Sequence, residues 1–94
     1  PVLWSLYDFV GLVLDYDEHD KVALVEQRNK MSLGDEIEII GPNKKMHRQK
    51  IEKMWDDEGE IIQHAPHPQQ KVKIKMEKPV GKYDIFRRES KDDE

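Results

Sequence analysis

Cysteine is missing from this chain of 94 residues. That excludes disulfides, thiolate metal ligands and a cysteine nucleophile, and it fits a reducing cytoplasm as the compartment. No apolar run approaches the roughly 18 residues of a membrane span. Residues Pro1 to Val13 lack the basic start and small-residue cleavage site of a signal peptide. No membrane partner is therefore expected. There is no glycine-rich phosphate loop, and Ser5, Ser32 and Ser90 lack the surroundings of a nucleophile elbow. Aromatic residues are 7% and hydrophobic residues 36% of the chain, against 38% charged. So small an apolar pool must be used economically, and regular strands do that. The chain opens on Pro1-Val2-Leu3-Trp4, without methionine, and reads as a piece of something longer.

A chain of this length makes one domain and buries only roughly 60 to 65% of the surface its unfolded form exposes. The formal net charge is −4, but it is unevenly placed. Asp8, Asp15, Asp17, Glu18, Asp20 and Glu26 cluster early against Lys21 alone. Lys71, Lys73, Lys75, Lys78, Lys82, Arg87 and Arg88 cluster late against Glu77 and Asp84. A two-faced molecule follows, which the total charge hides.

Phe9 to Tyr16 is rich in β-branched and aromatic residues, and Asp17-Glu18-His19-Asp20 is turn chemistry. Lys21 to Gln27 then alternates, so the two segments predict an antiparallel hairpin with an acidic tip. Arg28 to Asp35 predicts a loop, and Glu36 to Ile40 a strand that Gly41-Pro42-Asn43 stops. Gln49 to Trp55 predicts a bulged strand, turning through Asp56-Asp57-Glu58-Gly59 into Glu60 to Gln63. Lys71 to Met76 alternates strictly, with Val72, Ile74 and Met76 on one face and three lysines on the other. Lys78 to Gly81 turns the chain, and Tyr83 to Arg87 forms a last strand. The expected division is a linker at residues 1–7, a β domain at 8–89 and a frayed tail at 90–94. The fold class is all-β, a small antiparallel barrel of six or seven strands, since closure removes exposed edges.

The stretch His64-Ala65-Pro66-His67-Pro68-Gln69-Gln70 is the most unusual, because Pro66 and Pro68 lock a bend. His64 and His67 have metal-like spacing, but the prolines forbid a helix and too few ligands accompany them. They fix a corner by hydrogen bonding, or they touch a substrate or nucleic acid; no metal or cofactor is expected. Gln27-Arg28-Asn29-Lys30 lacks apolar character, so burial does not explain it. Arg28 and Asn29 either tie down the following turn or contact a ligand or RNA. Lys71, Lys73 and Lys75 recur at about 7 Å, close to the spacing of phosphates along a strand, or they form an ordinary solvated sheet face. Arg87 and Arg88 add to the basic reading. The aromatics are mostly needed by the core, which leaves few base-stacking platforms.

Several strings carry a resemblance. Phe9-Val10-Gly11-Leu12-Val13-Leu14-Asp15-Tyr16, Val25-Glu26-Gln27-Arg28-Asn29-Lys30, Gly34-Asp35-Glu36-Ile37-Glu38, Ala65-Pro66-His67-Pro68-Gln69-Gln70 and Tyr83-Asp84-Ile85-Phe86-Arg87-Arg88 resemble the C-terminal domain of the bacterial collagenase-like peptidases (peptidase family U, number thirty-two). The likeness runs from about Tyr7 to Glu89. The segment Ser32 to Gly41 also looks like strands of the elongation-factor β-barrel, which supports the barrel and faintly points to RNA. The resemblance implies an N-terminal catalytic domain elsewhere in a longer cytoplasmic protein. It implies a parent that is a peptidase, or one that hydroxylates a tRNA uridine. The chain itself is then a non-catalytic accessory domain that positions substrate or docks on its neighbour; alternatively it presents tRNA.

Overall fold

The computed structural model describes residues 6–42, 44–65 and 67–90. Most of the expected linker, with Trp4, and all but Ser90 of the expected tail lie outside them, as do Asn43 and Pro66. The described residues form nine strands and no helix: β1 (Tyr7–Asp17), β2 (Val22–Gln27), β3 (Met31–Ser32), β4 (Glu36–Ile40), β5 (His47–Lys50), β6 (Met54–Asp56), β7 (His64–Ala65), β8 (Lys71–Lys75) and β9 (Ile85–Glu89). Seven of them make one curled antiparallel half-barrel sheet, in the order β5-β4-β9-β1-β2-β8-β6, and β3 pairs with β7 beside it.

The β1–β2 hairpin forms where the acidic turn residues place it. Asp17 Oδ1 accepts from the amides of His19 and Asp20 at 2.9 and 3.1 Å, and Lys21 N donates to Asp17 O at 2.7 Å. The short polar side chain thus satisfies turn amides that the ladder cannot. Two register shifts bend β1, between Phe9 and Gly11 and between Val13 and Asp15. Such bulges let a strand curl. A Cβ at Gly11 would come within 2.6 Å of Val25 Cγ1, so glycine lets the bent strand approach β2.

Alternation puts Val13, Ala23, Val25, Ile37, Ile39, Val72, Ile74 and Phe86 inside, where all are fully buried with Val10, Met31, Ile51, Met54 and Ala65. Val72, Ile74 and Met76 face in and the three lysines between them face out, as the alternation of Lys71 to Met76 requires.

The predicted bulged strand at Gln49 to Trp55 is instead two strands on opposite edges of the sheet. Ile51, Glu52 and Lys53 carry the chain from edge β5 to edge β6, with buried Ile51 as the corner. Gln49 ties the β5 edge to the end of β8, the neighbour of β6: its Nε2 donates to Lys75 O at 3.0 Å and its Oε1 accepts from Glu77 N at 2.8 Å. The predicted strand at Glu60 to Gln63 reduces to one bridge between Trp55 and Ile61, because Ile61 is 71% exposed and has no face to bury. The loop after Arg28 contains β3, anchored by buried Met31. The last strand begins later than expected, since Tyr83 has φ 74° and still belongs to the turn. The two ends of the described chain meet: β1 pairs with β9, and Ser90 N donates to Leu6 O at 2.9 Å.

Candidate functional site

Gln27 continues the inward alternation of Ala23 and Val25, and so it is fully buried, contrary to the reading of Gln27 to Lys30 as a stretch that burial does not explain. Its Nε2 donates to His67 O at 2.9 Å, its N–H donates to Gln70 O at 2.8 Å, and its carbonyl accepts from Gln69 N at 2.8 Å. Gln27 therefore grips the loop at His67, Gln69 and Gln70, through its side-chain amide and both backbone groups. The grip holds Gln69 at φ 62°, a conformation a side-chain-bearing residue adopts only under restraint. The imidazoles of His64 and His67 and the side chain of Gln69 are exposed, whereas Gln70 is half-buried. Asn29 is a tie rather than a free donor: its Nδ2 gives a hydrogen bond to Phe9 O at 2.8 Å. Arg28 pairs with Glu26 at 3.2 Å and lies over the Phe9 ring at 5.5 Å.

Lys71, Lys73 and Lys75 stand in a row on the exposed face of β8. Opposite them on β2 are Glu26, Leu24 and Val22, and Trp55 of β6 pairs with Lys73 on the other side. Lys75 Nζ donates to Asp20 O at 2.7 Å. Between this row and the β1–β2 turn runs an open groove of about 900 Å³. Val22, Leu24 and Trp55 line it, with Lys53, Lys73 and Lys75 on one bank and Asp15, Asp17 and Asp20 on the other.

The arginines are placed differently. Arg88 Nη1 donates to Lys30 O at 2.7 Å and to Asp35 at 3.0 Å, and Asp8 lies 3.5 Å from Nη2. Arg87 Nε donates to Glu38 at 2.7 Å while its guanidinium stacks 3.9 Å from the Tyr7 ring centroid. Arg48 holds the second Glu38 oxygen at 3.0 Å. Burial pushes the Glu38 carboxyl up, but the hydrogen bonds and charges of Arg87 and Arg48 outweigh it, so it sits below the ordinary value of 4.5.

The structure thus brings Arg28, His67, Gln69, Gln70 and Lys71 to one corner through Gln27, with His64 on the adjoining β7. Lys73 and Lys75 lie on the groove, and Arg87 and Arg88 are turned to holding β9 in place. Sequence reasoning missed three kinds of group: buried acids, a half-buried imidazole and surface aromatics. Glu38 and Asp84 are buried acids. Asp84 accepts from Gly81 N at 2.8 Å and is paired with Lys44. His47 is half-buried with no partner for either ring nitrogen; burial, then Lys78 and Lys44, hold its pKa below the ordinary value. Trp55 is half-buried at the groove, and Tyr7, Phe9 and Tyr83 are 41, 40 and 60% exposed, so most described aromatics serve surfaces rather than the core. Among the described residues, no three histidine, aspartate or glutamate side chains come together to hold a metal ion.

A curled, all-antiparallel sheet with a clamped polar corner and an external basic strand defines a small all-β domain of half-barrel type. The chain belongs to the family described as the Peptidase family U32 C-terminal domain, whose model matches residues 5–87. It is similar to the tRNA hydroxylation protein P1 of Bacillus subtilis (strain 168), 42% identical over 84 residues. That likeness covers 89% of this chain and 20% of the relative, so the chain spans about one fifth of the relative's length. Two crystal structures of the C-terminal domain of a Geobacillus thermoleovorans protein described as a U32 peptidase have the same fold, each at 43% identity. One covers 88% of this chain and 93% of that one at a TM-score of 0.84; the selenomethionine variant covers 86% and 99% at 0.83.

Proposed function

We propose that this domain is a non-catalytic accessory module that presents tRNA to a separate hydroxylating domain of the same protein. The observation that carries this reading is the row of lysines on β8. Among the described residues neither Lys71 nor Lys73 has a carboxylate within ion-pair distance, and Lys75 meets only a backbone carbonyl. Glu26, which faces Lys71 across the ladder, is engaged by Arg28. Unpaired ammonium groups about 7 Å apart on a rigid strand fit successive phosphates. The name of the Bacillus relative, a tRNA hydroxylation protein, supports the same choice of partner.

Fluorescence anisotropy with labelled bulk tRNA tests the reading. Three phosphate contacts to single-stranded RNA predict roughly 20-fold weaker binding between 50 and 200 mM salt. Replacing Lys71, Lys73 and Lys75 together by glutamate is expected to abolish binding, with the circular dichroism spectrum unchanged. Binding that the triple variant retains, or no binding at low salt, overturns it.

A second reading, docking on the catalytic domain, draws on a different face. Leu6, Tyr7 and Phe9 are 54, 41 and 40% exposed, and Arg87 and Arg28 lie over the two rings. Aromatics beside arginines are the composition of interface anchors. Tyr7→Ser with Phe9→Ser in the full-length protein is expected to free the domain, seen as protease cleavage between the two parts; unchanged resistance argues against docking there.

A further inference from the structure

The groove beside β8 has a chemistry that phosphate binding alone leaves unused. One register row across the outer face runs Asp15 (β1), Leu24 (β2), Lys73 (β8) and Trp55 (β6). It places a carboxylate, an apolar floor, an ammonium and an indole side by side. Three strand spacings, about 14 Å, separate its ends, which is room for one nucleotide and too little for a duplex. Two residues further along each strand, Asp17 faces Val22, and Val22 faces Lys75, so the pattern repeats. Each carboxylate is half used. Asp15 Oδ1 accepts from Tyr16 N at 2.8 Å, and Asp17 Oδ1 from the amides of His19 and Asp20. These bonds fix the two side chains through one oxygen each, and both residues line the groove. Lys75 bridges to Asp20 O and closes the end nearest the hairpin turn.

Resting on the reading of this domain as an RNA-binding module, we propose that the groove takes one unpaired nucleobase of the bound strand and prefers guanine. The indole of Trp55 with Leu24 and Val22 supplies the apolar contact that an unstacked base requires. Lys73 and Lys53 face its phosphates. The acidic bank selects among bases, because a carboxylate only accepts hydrogen bonds. Guanine offers adjacent N1–H and N2–H donors on one edge. Adenine and cytosine offer an amino group beside a bare ring acceptor. Uracil offers one N–H between two carbonyls that the carboxylates repel.

The test uses Trp4→Phe protein, so that Trp55 is its one tryptophan and is excited selectively beyond the tyrosine absorption band, titrated at low salt with the pentaribonucleotides UUGUU and UUUUU, with anisotropy of labelled RNA recorded in parallel. Saturable quenching of Trp55 by UUGUU, about 10-fold tighter than by UUUUU, is expected. Asp15→Asn should remove most of that preference while UUUUU binding holds or improves. RNA that binds through the lysines without changing Trp55 fluorescence overturns the groove proposal and leaves the RNA reading standing. Equal quenching by both pentamers overturns the base preference. No binding of either pentamer or of tRNA overturns both readings together.

Discussion

At Glu38 a carboxylate that is 5% exposed has both oxygens held by guanidinium groups, Arg87 on one and Arg48 on the other. A charge that is buried is tolerated only when it is paired and hydrogen-bonded. Because its folded-state pKa lies below the ordinary 4.5, its stabilisation is complete above that value and is lost as pH falls through the folded one. Glu38→Gln is therefore expected to cost roughly 2 kcal/mol at pH 7 and much less at pH 3, measured by urea unfolding at the two pH values. An equal cost at both would assign the loss to shape rather than charge. The residue was hard to find in the sequence. Glu36-Ile37-Glu38-Ile39 reads as polar-out alternation, and Glu38 does face outward; it is buried because neighbouring arginine side chains cover it. Gln27 was more legible than it was read to be. Extending the alternation of Ala23 and Val25 by two residues already puts it inside, and its clamp on His67 to Gln70 joins two of the strings that carry the family likeness.

Among the elements, β8 is the one that alternation predicts best, since a period of two assigns Val72 and Ile74 to the core and the lysines to solvent without knowledge of the partners. That division has an energetic counterpart. Ile74→Ala should cost roughly 2 to 4 kcal/mol by opening a cavity among fully buried neighbours, whereas Lys73→Ala should stay within about 0.5 kcal/mol. Denaturant midpoints of the two variants decide it; comparable losses would mean that the lysine row has a structural task. The β1–β2 hairpin was equally legible from its turn residues. The separation of β5 from β6 was not, because alternation says which face a residue takes and nothing about which edge of the sheet its strand joins. Glu60 to Gln63 misled for a related reason: Ile61 and Ile62 look like a strand, but only one of them has a core to enter.

In the whole molecule, protection should grade from the middle of the sheet outward. β1, β2 and β9 each pair on both sides, whereas β5 and β6 are edges, and stability is lowest where backbone groups are least covered. Native-state hydrogen exchange is expected to show the ladder amides of β5 and β6 opening at similar, low free energy, since only three residues join the two edges and the Gln49 bonds tie β5 to the end of β8, on which β6 pairs. Slow exchange belongs to β1, β2 and β9. Edges that open independently would show that the corner at Ile51 does not transmit the loss. The barrel class was legible from turn spacing and alternation; this coupling was not, because it arises from curvature.

The pairing of β1 with β9, sealed by the bond from Ser90 to Leu6, also has a mechanical meaning. Force applied through the two ends would load the central pair at its outer rung and peel it open one hydrogen bond after another, rather than shearing many bonds at once. The domain would then yield to a weak pull despite its closely packed interior, and the first part to part company would be the pair of strands at its centre.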